Sequence, residues 1–313
     1  MRAAIIEEPG RPPVPGHLDR ASATVEVLAA PITPLDLLCA SGTSYFGVPA
    51  TPYVPGVQGI GRVDGRLVWF PTTAGMRPGN GSMAEFAAVP TDALVPLPDD
   101  VDPVLVAALG LSAVAAHMSL SWRGSLAAGE QVIVLGAGGV VGQAAVQLAR
   151  IAGARRIVAG ARSAEAQSRA AAAGADAVVA LDTEDVSVLA ERFADACDGP
   201  ADLVLDPLFG APAAAAARNL RVGGRLVNLG SSAADTCPID SGTLRSKSLQ
   251  LLGYTNNELT DEQRTEALTM VAALAAAGEL TVTYEVFPLD EVTSAWQRQA
   301  DGRAQGRIVL VTH

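Results

Sequence analysis

Cysteine is scarce. Cys39, Cys197 and Cys237 are the whole complement, odd in number and without regular spacing, which excludes a disulfide framework. The three histidines, His17, His117 and His313, are equally dispersed. A zinc site needs three or four Cys, His or carboxylate ligands converging on one point, and no stretch of the chain supplies such a cluster. Cys39 lies among Leu37, Leu38 and Ala40 and reads as core. Basic charge is short as well. The 22 Lys and Arg face 33 Asp and Glu for a net charge of −11, which excludes a broad basic face for nucleic acid. No apolar run reaches membrane-spanning length without glycine or polar breaks. The start, Met1 to Pro9, places Glu7 and Glu8 directly after a short apolar run, where a signal peptide would continue its apolar core. These absences predict a soluble, cytoplasmic protein with no nucleic-acid or membrane partner.

What is present is globular. Hydrophobic residues make up 49% of the 313 and charged residues 18%, a length and composition that favour two domains. The chain is organised around Gln131–Arg150. A continuous apolar run, Val132 to Leu135, reads as a strand buried on both faces. Gly136, Gly138, Gly139 and Gly142 follow, and then helical apolar spacing at Val141, Ala145, Leu148 and Ile151. Strand, glycine turn and helix form the dinucleotide-binding order, with Val140 and Val141 opening the helix. Pyrophosphate sits on free N–H groups at a helix N-terminus, where the dipole is positive. A Cβ at the glycines would hold it off.

Before this stretch, Met1 to about Pro98 is rich in proline and glycine. Short apolar pieces at Arg2–Ile6, Ala23–Ala29, Gly61–Val63 and Arg66–Phe70 predict strands joined by tight turns. Asp102-Pro103 can start a helix over Val104–Leu120. Beyond it, buried strands are predicted at Val132–Leu135, Arg156–Ala159, Ala177–Ala180, Asp202–Leu205, Arg225–Leu229 and Leu249–Gly253. Alanine-rich helices at 140–152, 163–173, 184–196 and 211–219 lie between the earlier ones. That alternation predicts a parallel sheet covered on both faces. A helix over Asp261–Ala277 follows. The tail, Leu280–Phe287, a helix at Leu289–Asp301 and a strand at Arg307–Val311, resembles the N-terminal region and is expected to return to it.

Assembled, these residues resemble the medium-chain dehydrogenase/reductase superfamily, in its zinc-independent quinone oxidoreductase branch. The resemblance rests on Thr33-Pro-Leu-Asp36 with Ser41-Gly42, Pro55-Gly56-Val-Gln-Gly59 with Gly61, Ser82-Met-Ala-Glu-Phe86, Arg123–Glu130 and Gly306-Arg-Ile-Val309. It implies an α/β chain in which a Rossmann domain, a doubly wound parallel sheet over 108–255, is inserted in a GroES-like β-rich catalytic domain formed by 1–107 and 256–313. It also implies a homodimer paired through the Leu249–Gly253 edge strand. Where the zinc alcohol dehydrogenases carry their first catalytic cysteine and their Gly-His-Glu ligands, this chain has Thr33 and Gly56-Val57-Gln58. The cysteine-rich structural-zinc lobe is missing. No metal is expected.

The carboxylate that binds the adenosine ribose in NAD enzymes should follow the glycine turn by about 20 residues. Ala161 stands there, followed by Arg162 and Ser163, a cation and a donor suited to a 2′-phosphate. The cofactor predicted is therefore NADPH, with a solvated helix start as the alternative reading of Arg162. By resemblance, Leu208 and Leu229-Gly230-Ser231 line the nicotinamide half. Thr255, Asn256 and Asn257 carry groups for the carboxamide or substrate, or else cap a turn. Arg307 reaches phosphate, or else makes a surface salt bridge. Without zinc, an acceptor carbonyl must be polarised by hydrogen-bond donors, which favours quinones or α,β-unsaturated carbonyls. Family patterns often have asparagine at the position of Thr33 and a tyrosine near Leu38. Thr33, Ser41 and Tyr45 remain as donors, with Tyr45, in the loop Ser41–Tyr53, the leading substrate donor or proton source. Asp36 is a backbone acceptor and His117 a core histidine. Three rival functions are an enoyl reductase of a biosynthetic pathway, a non-catalytic NADPH-binding sensor and a zinc alcohol dehydrogenase.

Overall fold

The computed structural model describes residues 1–19 and 24–312, so Ala23 and His313 lie outside the described residues. The described chain forms two compact units, residues 1–110 with 268–313, and residues 111–267.

The first unit begins with a hairpin of β1 (Arg2–Ile5) and β2 (Val14–His17). Its main sheet starts with β3 (Val25–Ile32), followed by helix α1 (Pro34–Ser41). Strands β4 (Gln58–Val63), β5 (Arg66–Pro71), β6 (Phe86–Ala87) and β7 (Val95–Pro96) come next. Helix α2 (Pro103–Met118) then leads into the second unit, kinked at Gly110 where φ is 34° and ψ is −136°.

The second unit alternates strand and helix. Its elements are β8 (Gln131–Leu135), α3 (Val140–Ile151), β9 (Arg156–Ala161), α4 (Ala164–Ala172), β10 (Ala177–Ala180) and α5 (Val186–Ala196). They continue with β11 (Ala201–Asp206), α6 (Gly210–Arg218), β12 (Leu220–Asn228), α7 (Ser241–Lys247) and β13 (Gln250–Gly253). Helix α8 (Asp261–Ala276) returns the chain to the first unit, where β14 (Tyr284–Pro288), α9 (Val292–Ala300) and β15 (Arg307–Val311) end it.

The tail pairs with the N-terminal strands. The sheet runs β14-β15-β3-β4-β5-β7, with β15 antiparallel to β3, so that Leu310 faces Ala30. One side of the unit's core gathers Ile6, Ile32, Val54, Met83, Trp296 and Leu310, and another gathers Val25, Val27, Val68 and Phe70. The second unit is a six-stranded parallel sheet, β10-β9-β8-β11-β12-β13. Central β8 is buried on both faces, as its unbroken apolar run requires. The chain is thus α/β, with a doubly wound Rossmann sheet and a GroES-like β-rich unit.

Three differences from the sequence reading have physical reasons. Helices α1 and α7 are short and carry no long apolar period; they are set by caps. Thr33 closes a capping box with Asp36, and the Asp240 carboxylate accepts from Thr243 N. The strand expected over Leu280–Phe287 pairs only from Tyr284, where the ladder with β15 begins. Finally, α2 runs into a π-turn at Ser119–Arg123. The apolar helical stretch Pro103–Arg123 is 21 residues long, enough to cross a membrane by length alone, but 67% of its most apolar window is buried inside the protein, as in a core helix.

Candidate functional site

In a sheet ordered β10-β9-β8-β11-β12-β13 the connections reverse direction between β8 and β11. The crevice outside the carboxyl ends of those two strands is where an open parallel sheet binds its ligand. The glycine turn leaves β8 at this point. Gly136 takes the left-handed conformation, φ 61°, and a Cβ there would meet Leu208 Cδ2 and Pro207 Cγ at 3.1 Å. The other glycines divide the work in a way the sequence did not reveal. A Cβ on Gly138 would collide with Ala166 of α4, and one on Gly142 with Ala137, so both serve close packing. Gly139 alone is open, its nearest neighbour being Gly136 O at 3.4 Å. It is also the N-cap of α3 and supplies no side-chain cap, so the first N–H groups of the helix, from Val140, Val141 and Gly142, have no side-chain acceptor. A diphosphate fits a cradle of this kind.

The turn after β11 is built by a carboxylate that sequence reasoning missed. Asp206 is fully buried and accepts from Leu208 N at 2.9 Å and Phe209 N at 2.8 Å. Burial pushes its carboxyl up, against hydrogen bonds from Asn228, Phe209 and Leu208. The Asn228 amide donates to Asp206 Oδ2 at 2.9 Å and to Gly230 O at 2.8 Å, which ties the exit of β12 to that of β11. Leu208 and Pro207 thereby lie against Gly136, and Gly230 packs on Pro207, with Phe209 held at φ 60°. Ser231 is exposed and donates to Asp235. The signal available in the sequence was an acid at the end of a buried strand.

At the end of β9, Ala161 is buried and Arg162 exposed, and the Arg162 guanidinium makes no hydrogen bond or ion pair among the described residues. The Ser163 hydroxyl accepts from Ala166 N at 3.2 Å as the N-cap of α4. Glu165, in the same first turn, is held below the usual carboxylate range by its own backbone N–H and by Ser163. A second guanidinium, that of Arg169, donates to Gly138 O at 2.9 Å and braces the turn from outside.

The residues after β13 are largely spent on the fold. Thr255 Oγ1 accepts from Asn257 N, capping a short 3-10 turn, and Asn257 lies within that turn. Asn256 accepts from the Tyr254 phenol at 2.6 Å and donates to Leu111 O at 3.1 Å. Nearby, the Arg123 guanidinium stacks 4.2 Å over Trp122 and pairs with Glu258.

In the first unit, Thr33 and Asp36 act together. Thr33 donates its only hydroxyl hydrogen to Asp36 Oδ2 at 2.6 Å, and so is not a free donor towards a substrate. Asp36 also accepts from Thr33 N, Gly56 N and Val57 N, which docks the 55–57 segment on α1. Burial pushes this carboxyl up, opposed by those hydrogen bonds and by the charge of Arg307. Arg307 is 5% exposed and donates to Ile32 O at 2.9 Å. Burial pushes its guanidinium down to about 10, against the pull of Asp36. It is a core cation of the β15 strand, not a surface salt-bridge residue. Tyr45 is 76% exposed, its ring 4.3 Å from that of Phe46. Ser41 donates to Leu38 O, and His117, on α2, is driven down by burial.

The residues at the place of a catalytic zinc do not fit that ion. Cys39 is buried, and burial pushes its thiol up. Gln58 Oε1 accepts from Trp69 Nε1 at 2.9 Å, and the Asp36 carboxylate is occupied as described. No group of three His, Cys, Asp or Glu side chains converges among the described residues.

A family profile described as zinc-binding dehydrogenase matches residues 173–310. Among solved structures, the chain is similar to the quinone oxidoreductase from Thermus thermophilus, also solved in complex with NADPH. The two are 30% identical with a TM-score of 0.79, and all of both chains is covered. Human quinone oxidoreductase is 27% identical over 92% of this chain and 88% of its own length. Mouse prostaglandin reductase-3 is 28% identical over 83% of this chain and 73% of its own. Fold, glycine turn and these similarities agree: the chain belongs to the medium-chain dehydrogenase/reductase superfamily, in its quinone oxidoreductase-like branch.

Proposed function

We propose that the chain is an NADPH-dependent, zinc-free oxidoreductase that passes hydride to a quinone or an activated α,β-unsaturated carbonyl, acting as a cytoplasmic homodimer. The observation that carries this reading is the pairing of an uncapped helix N-terminus at Gly139 with an uncommitted guanidinium at Arg162, where the chain offers Ala161 in place of a ribose-binding carboxylate. When bound, NADPH supplies the hydride from its nicotinamide ring. The N–H groups of Val140, Val141 and Gly142 would hold the pyrophosphate, and Arg162 the 2′-phosphate. Leu208 and Leu229–Ser231, fixed by Asp206 and Asn228, would form an apolar wall that keeps water from the ring.

On the first unit, Tyr45 is the residue proposed to donate to the acceptor oxygen. Thr33 serves as a positioning residue, because its hydrogen is already given to Asp36. The ligand set described above suits no zinc, so polarisation falls to hydrogen bonds, and these suffice only for acceptors that are already electrophilic. The names of the human and Thermus relatives support a quinone, and the NADPH complex of the latter supports the cofactor. A dimer is supported by the edge position of β13, which pairs with β12 on one side and carries Leu251, 48% exposed.

The test is fluorescence titration with NADPH and NADH, followed by turnover of the preferred cofactor with quinones, enones, enoyl thioesters and aldehydes. NADPH preference with quinone or enone reduction is the expected result. Binding without turnover of any acceptor would replace the enzyme by a sensor, and absence of binding would remove the reading altogether.

A further inference from the structure

A cavity lies in the first unit, lined by residues to which the proposed hydride chemistry assigns no role. It measures about 160 Å³ and is walled by the second half of α1, by α9 and by the strap of residues 8–13. The walls are tied together. Gly10 N donates to Ala40 O at 2.7 Å, which fixes the strap to α1, and Thr293 Oγ1 donates to Pro13 O at 2.7 Å, which fixes it to α9. Leu37, Ala40 and Ala300 give the cavity an apolar lining.

Two of its lining residues, Trp296 and Arg11, carry side-chain donors not committed to other groups among the described residues. Trp296 is 5% exposed, yet its indole N–H makes no hydrogen bond among the described residues. The Trp69 indole N–H is committed to Gln58, whereas that of Trp296 is not sealed from solvent and is open to a ligand. Arg11 is exposed at the rim, and its guanidinium enters no hydrogen bond or ion pair among the described residues. An apolar slot with one N–H donor and one free cation has a definite complement, a compact apolar body ending in a carboxylate. Size sets the body. An engineered apolar cavity of about 150 Å³ takes up benzene, so a single ring fits this one. Charge sets the head group, because an anion gains a charge-assisted contact with Arg11 that a neutral ligand lacks, and a cation would be repelled by it.

We propose that this cavity binds a single-ring aromatic carboxylate, with the ring between Leu37, Ala40 and Ala300 and the carboxylate shared by Arg11 and the Trp296 indole N–H. The site is independent of the hydride reading and can be tested without it. In ¹⁵N-labelled full-length protein the three tryptophans give three indole signals, and loss of one in Trp296→Phe assigns it. Titration with benzoate is expected to move the Trp296 signal saturably, and benzyl alcohol, which keeps the ring without the charge, to bind more weakly. Arg11→Ala should weaken benzoate roughly three- to tenfold, the range of an exposed charge-assisted contact. Ala300→Phe, which fills the slot from an exposed position, should abolish binding. An unmoved Trp296 signal at about 10 mM benzoate, where a millimolar ligand would be mostly bound, would overturn the proposal. Equal affinity for benzyl alcohol, or indifference to Arg11→Ala, would overturn it as well.

Discussion

Arg162 and Glu165 stand three residues apart at the start of α4, and a 2′-phosphate held there as proposed would meet charges of opposite sign. Arg162 is uncommitted, whereas Glu165 is kept ionised by its own N–H and by Ser163. Arg162→Ala is expected to weaken NADPH binding by about 1.5–3 kcal/mol, the worth of a charge-assisted contact, and to leave NADH nearly unchanged. Glu165→Gln should do the reverse and tighten NADPH severalfold at low salt, an effect that fades as ionic strength rises. Both changes are read by the same fluorescence titration, and equal shifts for the two cofactors would remove the pair from the 2′-phosphate. Arg162 could be proposed from the sequence because the distance from glycine turn to second strand end is fixed by the fold. Asp206 could not. Its role depends on facing Asn228 across the β11–β12 ladder, a register that exists only once the strands pair. The Thr33-Pro-Leu-Asp36 spacing signals a capping box in the sequence, but that the hydroxyl hydrogen goes to the Asp36 carboxylate is seen only in the structure.

At the scale of elements, the glycine turn separates packing from binding. Gly138 is pressed against Ala166 of α4, and Gly139 faces open space. Gly138→Val therefore has to push α4 from α3 and should cost about 1–3 kcal/mol of stability, as overpacking does, seen as a lowered Tm. Gly139→Val should fold with a near-native Tm and lose both cofactors, since its side chain occupies the cradle. If Gly139→Val were as destabilised as Gly138→Val, the assignment of the open position would fail. The same distinction explains which elements the sequence displayed. Helices α3 to α6 fall within two residues of their predicted spans because apolar periodicity and strand alternation mark them. Helices α1 and α7 hang on Thr33 and Asp240 caps and have little or no periodic apolar face to read. The π-turn at Ser119–Arg123 has no sequence period at all.

For the whole molecule, with its net charge of −11, acid stability depends on which carboxylates are paired in the folded state. Glu130 is the most telling. Burial pushes its carboxyl up, but Arg225, the Ala127 N–H and Arg221 outweigh that and hold it below its ordinary value of 4.5. Arg225 grips both oxygens, at 2.8 and 2.7 Å, and also binds Gly124 O, Ser125 O and Asp202 O, clamping the 124–130 loop to β11 and β12. A carboxyl whose folded pKa is depressed adds stability that is full above its unfolded value and is lost as pH falls through the folded one. The contribution of Glu130 should therefore be constant from neutrality to about pH 5 and decline below 4.5. Glu130→Gln should lower stability by about 1–3 kcal/mol near pH 7 and converge with the parent protein in strong acid, as measured by urea unfolding across pH. Because the clamp sits at the opposite end of the parallel sheet from the glycine turn, the variant should keep its cofactor affinity wherever it remains folded. A constant deficit at every pH would mean that the carboxylate contributes by packing alone. A loss of affinity without a loss of stability would mean that the two ends of the sheet are coupled.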